Sequence, residues 1–113
     1  MPRFYNSLTK TVEEFSPAAP PQVGMYTCGP TVHDFAHVGN FRAYAWEDLL
    51  RRQLERRGYD VLHVMNITDV EDKIIRKAGE AGVPIGEYTA RYTAAFLDDV
   101  KTLGLLPAHH YPR

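Results

Sequence analysis

The sequence contains almost no cysteine: Cys28 is the only one among 113 residues. A single cysteine cannot form an internal disulfide, which excludes a small secreted domain held together by disulfides and fits a reducing compartment. Three roles remain open for this thiol: a structural side chain, a nucleophile or a metal ligand.

The sequence also lacks an excess of charge of either sign and a long apolar run. Lysine and arginine total 13 against 14 aspartate and glutamate residues, a net charge of −1, which by itself indicates neither a nucleic-acid nor a membrane partner. No stretch approaches the roughly 20 apolar residues of a membrane span, and the amino end has no run typical of a signal peptide. We therefore expect a cytoplasmic protein with no membrane partner.

The remaining composition is that of one small folded domain. A hydrophobic content of 44% with 24% charged residues fits a globular protein, and about this length suffices for a single core. Residues 16–21 are rich in proline and can hold neither a helix nor a strand. We divide the chain into an arm and linker (1–22), a main body (23–104) and a tail (105–113).

A strand, a helix and a second strand are expected after the linker. The predicted strands are Val23–Thr27 and Val61–Met65, the second interrupted by the polar His63, and the helix covers Phe41–Arg57. This order implies a right-handed parallel crossover. The apolar face of the helix is predicted to comprise Ala43, Trp46, Leu49, Leu50 and Leu54. The opposite, charged face is predicted to comprise Glu47, Asp48, Arg51, Arg52, Glu55 and Arg56. Ion pairs at i,i+4 spacing are expected between Glu47 and Arg51 and between Asp48 and Arg52.

Two further helices are expected after the second strand. Thr68 or Asp69 can cap the first, which continues through Ala78, and an apolar stripe from Ile85 to Leu103 predicts the other. Two parallel strands alone make an incomplete sheet, because parallel sheets are normally larger and buried on both faces. The predicted fold is therefore α/β, the first half of a Rossmann-type (HUP-like) parallel-sheet nucleotide-binding domain.

Residues able to do chemistry concentrate between Met25 and Asn40. Cys28 lies at the carboxyl edge of the first strand, where open α/β sheets bind ligands. His33 and His37 follow, and His37 opens onto the amino end of the helix, where unpaired backbone N–H groups attract phosphate. The residues thus predict a thiol beside an anion site. The plain alternatives are a buried inert thiol for Cys28 and a simple helix-capping histidine for His37.

Two separate segments carry a family resemblance. The first is Cys-Gly-Pro-Thr-Val-His-Asp at 28–34 with His-Val-Gly-Asn at 37–40, and the second is Asn-Ile-Thr-Asp-Val-Glu-Asp-Lys-Ile-Ile at 66–75. Both resemble cysteinyl-tRNA synthetases, a family of class I aminoacyl-tRNA synthetases. The resemblance implies that ATP activates cysteine as cysteinyl-adenylate and that the cysteine is then joined to tRNA(Cys).

The same resemblance implies that the chain is part of a larger catalytic domain. In this family an insertion divides the Rossmann-type domain, and the chain resembles only the half before it, so that the tail (105–113) leads toward the insertion. The remaining zinc ligands, a lysine loop and the tRNA-binding domains would lie elsewhere. We therefore expect a fragment that is inactive alone and that self-associates through its incomplete sheet.

The matched motifs imply specific roles for individual residues. Cys28 would be one ligand of a zinc ion that binds the substrate thiolate, the other ligands being absent from this chain. His37 and Asn40, the first and fourth residues of the HIGH-type motif, would be catalytic and would donate hydrogen bonds to the phosphates of ATP, which enters with magnesium. Asparagine at the fourth position departs from the plain motif but still offers N–H donors.

Further residues of the motifs would line the two substrate pockets. Gly29 and Gly39 would join His37 and Asn40 in binding ATP, and Gly29 and Thr68 would line the cysteine pocket. Two rival functions stay open. One is a cysteine ligase of the mycothiol-synthesis type, which makes the same adenylate, and the other is a catalytically dead nucleotide-binding module.

Overall fold

A computed structural model describes residues 1–113. It contains four strands and three helices. The elements are β1 (Arg3–Asn6), β2 (Thr11–Glu14), β3 (Gln22–Thr27), α1 (Val38–Arg56), β4 (Asp60–Met65), α2 (Asp72–Ala81) and α3 (Ile85–Thr102).

The strands β3 and β4 form the predicted parallel pair on either side of α1. Val23 lies opposite Val61 and Thr27 opposite Met65. After a break at Cys28–Pro30 the parallel pairing resumes with a bridge between Thr31 and Thr68. Inward-facing apolar residues on both strands pack beneath α1, and the predicted α/β fold is confirmed.

The tail runs alongside the free edge of β4 as an additional parallel segment. The backbone N–H groups of Met65 and Ile67 donate to the carbonyls of His110 (3.1 Å) and Pro112 (2.9 Å). The sequence gives no sign of this pairing, because backbone hydrogen bonds do not need an alternation of side chains. The paired segment extends the sheet beyond the two strands that were predicted.

A β-hairpin occupies the region predicted as an arm and linker. β1 and β2 are antiparallel, and Phe4 packs edge-on against Phe15 with ring centroids 5.5 Å apart. Phe15 in turn packs edge-on against Tyr59 at 5.8 Å, which anchors the hairpin to the main body. The strand pattern was missed because all four residues of β2 are exposed, so no polar and apolar residues alternate.

Buried apolar side chains form two separate clusters. The smaller cluster lies at the amino end of the parallel strands and comprises Val23, Leu54 and Val61. The larger cluster lies at the carboxyl end and comprises Val32, Phe41, Tyr44, Met65, Ile67, Phe96 and Val100. Phe96 of α3 is only 2% exposed, which confirms the centre of the predicted stripe, whereas Leu103 at its end is 56% exposed.

The predicted apolar face of α1 is wrong at three positions, because Ala43 is exposed as well as Trp46 and Leu49. Trp46 and Leu49 are 62% and 67% exposed, whereas Tyr44 and Arg51 are buried. Arg51 tolerates burial because its donors are satisfied: Nη1 donates to the carbonyl of Pro107 at 2.9 Å. Helical periodicity identified the helix, but it could not anticipate a buried arginine with a backbone partner.

The ion pairs along α1 follow the prediction only in part. Arg52 pairs with Asp48 at 2.7 Å, as expected. The expected pair between Glu47 and Arg51 does not form, because the Nε of Arg51 instead donates to Glu55 at 3.1 Å. Glu47 is thereby left free to turn toward the sheet.

The predicted caps of α2 are also wrong. The helix begins at Asp72, and its N-cap residue Glu71 makes no capping hydrogen bond through its side chain. The backbone of Thr68 is committed to the sheet, since its N–H donates to the carbonyl of Pro30 at 3.0 Å. Asp69 instead lies 3.7 Å from the guanidinium of Arg113. Thr68 therefore pairs in the sheet and Asp69 pairs with the tail, so neither residue caps α2.

The face of the parallel sheet opposite α1 is largely uncovered. Tyr26 and Leu62, on neighbouring strands, are 67% and 50% exposed. None of the three helices is long and apolar enough to cross a membrane.

Candidate functional site

The amino end of α1 is closed by a reciprocal pair of hydrogen bonds. The Nδ1 atom of His37 accepts from the backbone N–H of Gly39 at 2.9 Å. The Oδ1 atom of Asn40 accepts from the backbone N–H of His37 at 3.1 Å. This capping box starts the helix at Val38, three residues before the predicted start at Phe41. The capping role considered for His37 is thus confirmed.

The cap also fixes which ring nitrogen of His37 carries a proton. Because Nδ1 accepts a hydrogen bond, the proton of the neutral imidazole is assigned to Nε2. The side chain is exposed, so this N–H is available to a ligand. Likewise the Oδ1 of Asn40 is occupied and its amide NH₂ is left as a donor. One cap therefore presents two side-chain donors at a helix N-terminus.

Gly39 makes room for the imidazole. A Cβ atom at this position would lie 2.7 Å from Cε1 and 3.0 Å from Nδ1 of His37. Any larger residue would push the ring out of its capping position. The expected contact of Gly39 with ATP remains a prediction.

Gly29 lies where the loop after β3 passes close to the end of β4. A Cβ atom here would lie 2.0 Å from the carbonyl oxygen of Asn66 and 2.7 Å from Cγ of Met65. The N–H of Gly29 also donates to Oδ1 of Asn66 at 2.9 Å. The loop that begins with Cys28 is thus held tightly against the end of β4.

Three of the predicted site residues share one cleft of about 370 Å³. Its walls include Gly29, His33, Phe35, His37, Asn40 and Tyr44. His33 also lines the cleft wall. Thr68 lines a different cleft, together with Tyr26 and Arg113. The structure brings the expected ATP-binding residues Gly29, His37 and Asn40 together. Thr68 does not line their cleft, but its N–H donates to the carbonyl of Pro30, which does.

Cys28 is exposed, so the buried, inert alternative is wrong. Its Sγ has one weak contact, 3.9 Å from the carbonyl oxygen of Gly29. No group of three or more His, Cys, Asp or Glu side chains is placed to hold a metal ion. Zinc binding through Cys28 stays a prediction.

Polar side chains that are buried or half-buried lie near the end of β3, next to Cys28. The hydroxyl of Thr27 lies 2.8 Å from Nε2 of His63, which is 2% exposed. Burial raises the pKa of Glu47, partly offset by a hydrogen bond from Thr27. Burial, together with the charges of Glu47 and Cys28, raises the pKa of Tyr44 to about 12. The floor of the site therefore favours neutral side chains.

Sequence reasoning missed Tyr44 and Glu47 as parts of the site. A usable signal was present, because positions 37, 40, 44 and 47 follow the i, i+3, i+7, i+10 spacing of one helix face. Projecting that face from His37 places Tyr44 and then Glu47 on the side of the helix that carries the capping residues.

Residues 14–113 match the family model described as tRNA synthetases class I (C) catalytic domain. The chain belongs to that family. The match covers both motif segments and extends through the tail, and it confirms the resemblance on which the sequence interpretation was based.

Individual relatives of this synthetase family give the same result. A protein from Solibacter usitatus, named cysteine–tRNA ligase, is 57% identical over 91% of this chain and 22% of its own length. Proteins of the same name from Brachyspira hyodysenteriae and Thermococcus onnurineus are 54% and 51% identical over 93% and 98% of this chain. The chain spans 22% and 23% of their lengths, less than a quarter.

Proposed function

We propose that this chain forms the ATP- and cysteine-binding part of a cysteine–tRNA ligase. In such a protein ATP would convert cysteine to cysteinyl-adenylate, and the cysteine would then pass to its tRNA. The observation that carries the proposal is the doubly capped amino end of α1, where His37 and Asn40 meet Gly29 in one cleft. The relatives named cysteine–tRNA ligase support the choice of amino acid.

The capped end of α1 suits the phosphates of ATP, which would enter with magnesium. The helix dipole favours an anion there. As negative charge develops on the reacting phosphate, the Nε2–H of His37 and the amide of Asn40 would donate hydrogen bonds to it. Both donors are held in place by the cap, so they need little reorganisation during the reaction.

The cysteine substrate would bind near the end of β3. We assign Gly29 to the wall between the two substrates and Thr68 to the cysteine side, although the two residues line different clefts. Cys28 would contribute one zinc ligand only together with side chains from outside residues 1–113. We assign no chemical step to zinc. Binding of tRNA and self-association through the uncovered sheet face are further parts of the proposal.

The test uses a chimera in which this chain replaces the matching segment of the Solibacter usitatus relative. We expect cysteine-dependent exchange of pyrophosphate into ATP by the chimera and little or none by the 113-residue chain alone. Replacing His37→Asn should keep the helix cap but remove the Nε2–H donor. We expect kcat for exchange to fall by about a hundredfold with a much smaller change in KM for ATP.

The matched control is His110→Asn, the same change at an exposed histidine of the tail. It should leave exchange close to that of the unmodified chimera. Equal losses in kcat and in ATP affinity for His37→Asn would refute a role in the transition state. Transfer of cysteine to an amino sugar instead of tRNA would contradict the proposed ligase and support the mycothiol-type rival.

A further inference from the structure

The wall of the cleft contains a buried tyrosine whose hydroxyl has no protein partner. Tyr44 is 7% exposed and lines the cleft together with His37 and Asn40. Its hydroxyl makes no hydrogen bond within the chain, whereas the hydroxyls of Tyr88 and Tyr111 both bind backbone groups. Buried tyrosine hydroxyls usually have a hydrogen-bond partner. An unpaired one in the wall of a cleft is therefore available to a ligand.

The hydroxyl oxygen of Tyr44 keeps contact with the space of the cleft. Four side-chain atoms are fully buried without a hydrogen bond, and they belong to His33, Glu47, His63 and Glu71. The oxygen of Tyr44 is not among them, so it contributes to the small part of this residue that stays exposed. Since Tyr44 lines the cleft, we assign that exposure to the cleft.

Aromatic neighbours hold the ring of Tyr44 in one position. The ring packs edge-on against Phe41 with centroids 5.5 Å apart and against Phe96 of α3 at 5.6 Å. Both neighbours are themselves buried. A hydroxyl fixed in this way loses little conformational freedom when a ligand binds to it.

Three neutral donors follow one another along the face of α1 that lines the cleft. They are the Nε2–H of His37, the amide of Asn40 and the hydroxyl of Tyr44, at the i, i+3, i+7 spacing of one helix face. Tyr44 lies about 6 Å, or one turn, further along the helix axis than Asn40. It therefore meets a ligand group that lies deeper in the cleft than a phosphate at the helix end.

An anionic group inside the cleft depends on these neutral donors and on the helix dipole, because no lysine or arginine lines the cleft. Asp34 is the one acidic residue of the lining, and its carboxylate is paired with Lys77 at 3.4 Å. A hydrogen bond from a hydroxyl to a carboxylate is charge-assisted, and such bonds are about twice as strong as those between neutral groups.

We propose that the hydroxyl of Tyr44 donates a hydrogen bond to the carboxylate of the amino-acid substrate. This inference rests on the proposed function, because in that reaction the carboxylate must lie next to the phosphate that it attacks. His37 and Asn40 hold the phosphate at the helix end, and Tyr44 holds the carboxylate one turn deeper. Tyr44 is then a residue that positions the cysteine by direct contact.

The test uses the chimera described above with Tyr44→Phe, which removes the hydroxyl and keeps the ring. We expect KM for cysteine in pyrophosphate exchange to rise about tenfold, the loss expected for one hydrogen bond to a charged group. KM for ATP should change by less than about twofold. Cysteamine, which is cysteine without its carboxylate, serves as a competitive inhibitor against cysteine. Its inhibition constant should be the same for the chimera and for Tyr44→Phe, because cysteamine offers the hydroxyl no carboxylate.

The matched control is Tyr111→Phe, the same change at a ring that also packs against Phe96 but does not line the cleft. It should leave the constants for cysteine and cysteamine unchanged. An unchanged KM for cysteine in Tyr44→Phe would overturn the inference. Equal weakening of cysteine and cysteamine would also overturn it, because the cleft would then have changed shape. A rise in KM for ATP alone would overturn it by assigning the hydroxyl to the phosphates.

Equilibrium dialysis with labelled cysteine separates this result from that of the proposed function, because binding needs no catalysis. Cysteine binding that Tyr44→Phe weakens, in a chimera that does not exchange pyrophosphate, would contradict the ligase and support the contact with Tyr44. An active chimera in which Tyr44→Phe binds cysteine as tightly as its parent would contradict only the contact with Tyr44. A chimera that binds no cysteine would contradict both.

Discussion

The two ends of the parallel strands differ in how closely the chain packs. At the amino end, a Cβ atom placed on Gly24 would meet no atom within 4 Å. At the carboxyl end, a Cβ atom placed on Gly29 would lie 2.0 Å from a backbone oxygen. The smaller cluster of three buried residues lies at the first end and the larger cluster of seven at the second.

The comparison shows which end of the parallel strands requires close packing. Close packing fixes the loop that carries Cys28 and His37, so the candidate donors are positioned by the core. The amino end carries the exposed hairpin, and no residue of the candidate site lies there. Three measurements would test this difference between the two ends.

Replacing Gly29→Ala should have the largest effect. The new methyl group would overlap the carbonyl of Asn66, so the backbone must move and the free energy of unfolding should fall by about 3 kcal/mol. Urea denaturation monitored by the fluorescence of Trp46 would measure this. The control Gly24→Ala, within β3, should change the value by less than about 0.5 kcal/mol. Similar values for both variants would remove the contrast between the two ends.

Loss of the α1 cap should have an intermediate effect. His37→Ala removes the acceptor for the N–H of Gly39 and should lower the free energy of unfolding by about 1 kcal/mol. His37→Asn supplies another good N-cap side chain and should restore most of that loss. If His37→Asn lost as much unfolding free energy as His37→Ala, the capping hydrogen bond would not stabilise the helix. The order of the carboxyl end would then depend on the buried cluster alone.

Acidification should have the smallest effect, because it acts through one buried group near the middle of the sheet. Burial, together with the charges of Arg51 and His109, lowers the pKa of His63 below its ordinary value of 6.5. The unfolded chain therefore takes up a proton first as the pH falls, and its unfolding becomes easier. The contribution of His63 to the free energy of unfolding should be complete above about pH 6.5 and should decline below it.

Urea denaturation on either side of pH 6.5 would test this, with His63→Gln as the comparison. The variant should lose part of the pH dependence seen between those conditions. An unchanged dependence would show that other groups cause it.

The sequence predicted the regular elements of the main body better than their surroundings. Both parallel strands and the three helices were found because their apolar residues repeat with the period of a strand or a helix. The start of α1 was missed by three residues, since a histidine cap does not belong to the apolar pattern. The hairpin and the pairing of the tail were missed because backbone hydrogen bonds hold them without an apolar alternation.

The candidate site was predicted as a set of residues but not as a geometry. The motifs named Gly29, His37 and Asn40, which meet in one cleft. They could not reveal that the buried Tyr44 lines this cleft, or that burial raises the pKa of Glu47 one turn further along α1, because a polar residue on a helix is normally exposed. Glu47 also accepts a hydrogen bond from Thr27, a contact between residues distant in sequence.

The pairing between the tail and β4 also has a consequence for the order of folding. The N–H of His63 donates to the ring of His109, 46 positions later, and the N–H of His109 returns a bond to the carbonyl of His63. Contacts between such distant residues form late, since the intervening chain must first be brought together. During synthesis β4 therefore emerges from the ribosome with an open edge, and it stays open until α2, α3 and the tail have followed.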